Sequence, residues 1–485
     1  MRNLPFGFGL ALLWSPLVAL VLAGSGGPSG AGMLSARQLG LLLESLAYAT
    51  SVGVLASSLG LLVALRLWRI GATRRPWVQA LLAALVALPA TVVATSWMGI
   101  SGGFGQWWTQ GWAPATLVQT LVLLPLAVGV LALSLERLDG EALDAARVAR
   151  SVQPLFWRVL VPSVWPALAA AGSLAALVAL GDFTVPSLFG ANPYALEIFA
   201  MFSAGEDAVS ASWPLFVLAL PLAWIAGRWT SSLVASRTPR RAQPPALPGP
   251  IELLGRAGVS VAGLAFLSAL LILVLQSRSL SEAAAAAAGS VDELWATLRF
   301  STVGALLALI IGAATAPFLA HRGGPLAWAL VLAPVAMPPA LVGMGLARVG
   351  ALGAAGIDPA LAIAVRFGPF AAAVLALQWA RIDPLVLDAG RVFATPLRRA
   401  RGLGLPLLAS GLAAAFALCF AMGLGELGAS LLVVPPGQST LSIRLYNLLH
   451  YGASEDVAAL ALLLAALPAV VVAAATASFA RRRVG

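Results

Sequence analysis

Apolar residues in this chain gather into long unbroken runs. Twelve stand out: Leu4–Gly24, Leu46–Leu65, Trp77–Ile100, Ala113–Leu135, Val161–Gly181, Ala208–Gly227, Ala257–Gln276, Phe300–Ala320, Pro325–Ala347, Pro359–Ala380, Leu403–Gly425 and Val457–Ala480. Eleven hold no formal charge, and the tenth holds only Arg366. At about 1.5 Å of rise per residue, about 20 residues of helix cross the hydrocarbon of a bilayer. Barrel strands are about half that length and alternate in polarity, which these runs do not. Helices satisfy their own backbone groups in lipid. The pattern predicts an all-α integral membrane protein of about twelve transmembrane helices.

Polar punctuation organises the runs. Ser236–Pro250 carries five prolines and three arginines, a density that stops helices and favours extended chain. We read 1–235 and 255–485 as two units of six spans joined by a linker over 236–254. Arg2 and the apolar run after it resemble a secretory leader, but the run exceeds the 7–15 residues of a leader core. An uncleaved first helix is expected. The run Ala283–Ala288 reads as a short surface helix.

Composition supports lipid as the solvent. Of 485 residues, 60% are hydrophobic and 10% are charged, against about 25% charged in soluble domains. The net charge of +10 follows the distribution expected of cytoplasmic membrane loops rather than of a nucleic-acid surface. With the N-terminus in the cytoplasm, 23 of the 29 arginines fall in cytoplasmic segments, the bias that sets membrane orientation. Both termini are then cytoplasmic. There is no lysine, so this chain cannot carry the phosphate-binding lysine of a P-loop. Cys419, inside an apolar run, reads as a packed thiol. His321 and His450 are far apart and make no zinc pattern with it, so no metal site, cofactor or catalytic residue is expected. Trp107, Trp108 and Trp112 read as interfacial anchors.

An internal repeat is the most specific signal. At an offset of 244 residues, Pro125 meets Pro369, Arg137 meets Arg381, Asp139 meets Asp383, Asp144-Ala145 meets Asp388-Ala389, Arg147 meets Arg391, Pro162 meets Pro406, and Gly181-Asp182 meets Gly425-Glu426. Charges and prolines are scarce here, so these matches are informative. Six spans per unit give both units the same orientation, hence two parallel six-helix repeats about an axis near the membrane normal.

Between the fourth and fifth spans of each unit lies a polar segment. One runs from Asp144 through Ala145, Ala146, Arg147, Arg150 and Pro154 to Pro162. The other runs from Asp388 through Ala389, Gly390, Arg391, Ala394 and Pro396 to Pro406. In each, an acidic residue is expected to open a short helix, where negative charge suits the N-terminus; a proline turn, arginines and a final proline follow. These segments resemble the EAA loop of ABC-importer permeases, with aspartate for the opening glutamate and Arg150 and Ala394 where that pattern has glycine. Val365-Arg366-Phe367 before Pro369, Leu424–Ser430 and Thr440–Tyr446 extend the resemblance to fused iron(III)- and thiamine-type importer permeases. The resemblance implies a coupling helix in each loop, docked on a separate ATP-binding subunit, a dimer that carries ATP and Mg. It also implies a periplasmic or lipid-anchored solute-binding protein, a bacterial inner-membrane location, and alternating access without covalent chemistry in the permease.

Asp182 and Glu426 close the fifth and eleventh spans. Carboxylates at that depth read either as lining of the translocation path or as charges at helix ends. Arg366, deep in a span, must be paired or hydrated; it reads as a partner for a carboxylate or backbone carbonyl, or as a lure for an anionic solute. An ion-coupled secondary transporter with two six-helix halves is the alternative function. A membrane enzyme is disfavoured because no cluster of His, Cys or carboxylates converges in the sequence.

Overall fold

The computed structural model describes residues 3–22, 35–74, 76–86, 88–99, 110–204, 206, 208–235, 242–277, 280–350, 356, 358–393, 395, 398, 400–451, 456–468 and 470. Every regular element among them is helical. Among the described residues nine helices are each long and apolar enough to span a membrane: α1 (Leu4–Leu22), α2 (Ala36–Arg69), α5 (Trp112–Leu135), α7 (Val152–Gly181), α10 (Ala208–Ala235), α11 (Gly249–Gln276), α13 (Val291–His321), α16 (Asp358–Trp379) and α18 (Arg401–Leu424). The ninth predicted run is two helices, α14 (Pro325–Leu332, continued by a tight turn to Ala336) and α15 (Pro339–Gly350), bent by 92°. The third predicted run is likewise broken, into α3 (Pro76–Val86) and α4 (Ala90–Gly99). Prolines explain both breaks. Pro89 and Pro338 lie between the pieces, and each lacks the N–H that would carry the helix across. The twelfth run is described over Asp456–Pro468.

Shorter helices connect the spans: α6 (Gly140–Ala149), α8 (Thr184–Leu188), α9 (Tyr194–Ser203), α12 (Leu280–Ala288), α17 (Pro384–Phe393), α19 (Ser430–Val433) and α20 (Leu441–Tyr451). The run of alanines is α12, as expected from its composition. α11 begins six residues before the boundary read from the sequence, because Pro250 sits in its first turn, where no N–H is needed.

Helices α2, α5 and α7 pack mutually, and α13, α16 and α18 form the equivalent trio. Small residues permit the approach. A Cβ on Gly60 of α2 would lie 3.0 Å from the Ala127 Cβ of α5, and one on Gly312 of α13 would lie 3.1 Å from the Ala371 Cβ of α16. Ala371 follows Ala127 by the expected 244 residues, whereas Gly312 follows Gly60 by 252. The repeat is therefore real at both places but carries eight extra residues upstream, which hides α2 and α13 from an ungapped comparison. The same larger offset relates the acceptors of two buried hydrogen bonds, whose donors are 247 residues apart. Ser45 Oγ accepts from Tyr194 N at 2.8 Å, and Thr297 Oγ1 accepts from Leu441 N at 2.8 Å, so each hydroxyl caps the helix (α9, α20) that follows the fifth span of its unit.

The units interlock. α1 packs on α13 and α15 of the second, while α11 packs on α2 and α4 of the first. Ion pairs join residues that the arginine distribution assigns to one end of the molecule. At one end Arg37 meets Glu197 at 2.8 Å and Arg444 meets Glu293 at 2.6 Å; at the other, Arg66, Arg69 and Arg256 share Glu252.

Candidate functional site

Two places gather the residues singled out in the sequence. The first is the pair of short helices α6 and α17 at the arginine-rich end. Each has ten residues, and they are offset by 244. Their openers are Asp139 and Asp383, not Asp144 and Asp388. Asp139 Oδ1 accepts from Glu141 N at 2.9 Å and from Ala142 N, and Asp383 Oδ1 accepts from Leu385 N at 2.9 Å. The helix thus starts five residues earlier than the motif suggests, and Asp144 and Asp388 lie on its body. Asp144 pairs with Arg147 at 2.9 Å, one turn on. Arg147 also donates to the carbonyl of Gln243 in the proline-rich segment, and Arg69 donates to that of Pro245. Ala145, Asp388 and Ala389 are exposed, Ala146 and Gly390 partly so.

Arg150, at the position of the motif glycine, has φ −142° and ψ 143°. This is extended backbone, so no left-handed turn is required and arginine fits without strain. Pro154 lies in the first turn of α7, which tolerates it. Ala394 and Pro396 lie outside the described residues, and of Arg391 the helical backbone is described.

Downstream, α7 and α18 each widen by one residue per turn at the same repeat position, Phe156–Leu160 and Ala400–Gly404. Pro162 and Pro406 follow by two residues. A proline ring clashes with the carbonyl four residues back, and the wider turn relieves it.

Beside charges such as Glu141 and Asp388, α6 and α17 present apolar side chains outward. Val148 is 92% exposed and Val392, its repeat equivalent, is 76% exposed. Trp157 and Leu385 are also exposed. Between the two helices and the membrane core, Arg137 donates to the carbonyl of Leu233 at 2.7 Å, near the C-terminus of α10. Burial and the nearby Arg381, its own repeat equivalent, pull the Arg137 pKa below the usual arginine value.

The second place is a cavity of about 120 Å³ between the units. Asp182, Arg366 and Glu426 all line it, together with Thr91, Gln119 and Val122. Arg366 lies eight residues inside α16, or about 12 Å from the Asp358 end at 1.5 Å per residue. Its guanidinium pairs with Glu426, whose side chain is fully buried. Glu426 also accepts from Ala429 N at 2.7 Å, and Asp182 accepts from Thr184 N at 2.9 Å. Each repeat carboxylate therefore accepts a backbone N–H at the entry to the short helix (α8 or α19) after its span. Both carboxylates stand at the ends of α7 and α18 and line the cavity.

The glycines before these carboxylates meet the breaks of the opposite unit. A Cβ on Gly425 would lie 2.9 Å from Pro89 Cβ, and one on Gly181 would lie 3.5 Å from the carbonyls of Met337 and Val335. Sequence reasoning did not find Thr91 and Gln119. Isolated polar residues in apolar runs do signal such positions, and the tertiary fold shows which of them face a cavity. Among the described residues no group of three or more His, Cys, Asp or Glu could hold a metal ion.

A 2-aminoethylphosphonate transport system permease protein, PhnV, of Salmonella typhimurium is 30% identical over 185 residues, covering 36% of this chain and 70% of that protein. The chain belongs to the ABC-importer permease family. PhnV of Salmonella choleraesuis and of Salmonella typhi match over the same length at the same identity. These relatives are little more than half as long as this chain. No family model and no solved structure matches it.

Proposed function

We propose that this chain supplies both transmembrane halves of a binding-protein-dependent importer, as residues 1–235 and 255–485 joined by a cytoplasmic linker over 236–254. A separate ATPase dimer, carrying ATP and Mg, docks on α6 and α17. A periplasmic or lipid-anchored solute-binding protein delivers solute at the opposite end. The chain itself catalyses no covalent step. It sits in the bacterial cytoplasmic membrane with α6, α17 and both termini in the cytoplasm.

The observation that carries this reading is the paired exposure of Val148 and Val392 on short helices that lie beyond the membrane spans, at matched repeat positions. A single exposed valine is ordinary, but its recurrence at matched repeat positions favours a shared docking surface, and two equivalent surfaces suit the two copies of a dimeric motor. Asp144 and Arg147, paired across one turn, hold the α6 surface in shape. An ATPase subunit is expected to co-purify with the chain, and Val148→Asp with Val392→Asp to release it. Retention of the ATPase by that double variant, in protein that elutes as the wild type does, would remove the docking role.

A small phosphonate is the solute class favoured by the likeness to PhnV. Iron(III) and thiamine, suggested by the resemblance of the motifs, are the alternatives. Iron is the weaker of these two, because Glu426 is already held by Arg366. The ion-coupled secondary transporter gives no reason for twin docking helices; uptake that persists without any ATPase and collapses with the ion gradient would restore it.

A further inference from the structure

We propose that the cavity between the units is a transient binding site for a small zwitterion, whose ammonium group seats on Asp182, Gln119 and Thr91 and whose anionic group faces Arg366. It rests on the importer reading and names the solute class that this path accepts.

The argument starts from a break in the repeat. Asp182 and Glu426 are equivalent, and both line the cavity. Glu426 has a resident cation, Arg366. The residue equivalent to Arg366 in the first unit is Val122, which lines the same cavity. Asp182 accepts from Thr184 N and lies within the electrostatic reach of Arg366, while Val122 stands where its own unit would carry the arginine. With two carboxylates and one arginine, the lining has an excess negative charge. One arginine then serves both carboxylates, and a carboxylate accepts more hydrogen bonds than the one Asp182 takes from Thr184 N.

The second observation is independent of the charges. Thr91 and Gln119 are 3% and 2% exposed, both line the cavity, and neither Thr91 Oγ1 nor Gln119 Oε1 has a hydrogen-bond partner. Buried polar oxygens are rarely left so. Their equivalents, Val335 and Ile363, are apolar, so this polarity belongs to one side of the cavity, the side of Asp182. Gln119 Oε1, Thr91 Oγ1 and the Asp182 carboxylate are all acceptors. An ammonium group, with three N–H donors, matches them. Arg366 bonds Glu426 through one nitrogen, and a guanidinium has five N–H donors, so it can also receive an anionic oxygen. A solute with only negative charge meets the excess carboxylate, and a purely apolar one leaves the oxygens unpaired.

The test uses the chain purified in detergent with its co-purifying ATPase and without the solute-binding protein. Saturable binding of radiolabelled 2-aminoethylphosphonate is expected, with ethylphosphonate, which lacks the amine, competing at least tenfold more weakly. Val122→Arg places a guanidinium beside Asp182, as Arg366 stands beside Glu426, and should lower affinity at least tenfold. Gln119→Leu, which removes an acceptor and adds no charge, should also weaken binding and serves if Val122→Arg does not assemble. No saturable binding, equal competition by ethylphosphonate, or indifference to both substitutions overturns the proposal. If the ATPase nevertheless co-purifies, the importer reading survives that result; absence of the ATPase would instead count against the importer reading itself.

Discussion

Arg366 and Glu426 show how a charge is kept inside an apolar fold. Glu426 is fully buried and Arg366 largely so, Glu426 also accepts from Ala429 N, and the guanidinium lies 5.6 Å from the Phe367 ring centroid. Removing one partner strands the other without water, which costs about 3–5 kcal/mol in buried pairs. Glu426→Ala should therefore destabilise the chain by about 3 kcal/mol, read as a lower midpoint of unfolding in mixed micelles. Glu426→Leu with Arg366→Met should restore most of that loss. If the single variant is as stable as the wild type, the pair has no structural role. Smaller effects belong to the caps: Ser45→Ala leaves the N–H of Tyr194 without its acceptor and should cost about 1 kcal/mol, measured the same way.

Among the elements, the two wide turns before Pro162 and Pro406 are the most specific devices. They lie between α6 or α17 and the spans that carry Asp182 and Glu426. Replacing both prolines by alanine removes the clash that holds the turns open. An ordinary α turn then takes up one residue fewer and rotates the preceding segment by about 100°. The double variant should keep its ATPase but lose most solute uptake in proteoliposomes, because the docking surfaces no longer move with the path. Wild-type uptake would show that the turns merely accommodate proline. Much of this level was legible beforehand. The recurrence of Asp139 at Asp383 and of Pro162 at Pro406 marked both segments. The helix starts were misplaced because the motif directs attention to Asp144, whereas backbone N–H groups are capped by whichever carboxylate precedes them.

For the molecule as a whole, orientation is the open quantity with the clearest measurement. Cys419 is buried, so a Cys419→Ala background leaves no native thiol. Single cysteines at Val148 and Val392 should react with an impermeant maleimide only after the inner face is opened, and one at Gly437, in the loop before α20, should react in intact cells. Labelling of Val148 or Val392 positions from outside would invert the topology and end the coupling scheme. The interlock of α1 and α11 with the opposite units explains how two copies joined by a proline-rich segment behave as one body. It also puts the cavity where residues of both copies meet.

The sequence alone determined the solvent, the number of apolar runs, their repeat and the two matched polar segments between spans. Each of these depends on local composition or on spacing along the chain, and lipid makes the twenty-residue run nearly unambiguous. Only the tertiary structure decided that the third and ninth runs break, that α2 and α13 correspond at 252 residues rather than 244, and that Asp182, Arg366, Glu426, Thr91 and Gln119 share one cavity. Those facts depend on which faces of different helices meet. In a chain so rich in alanine and leucine, apolar positions all look alike, and the side on which a lone polar residue will lie is fixed by packing across the two units.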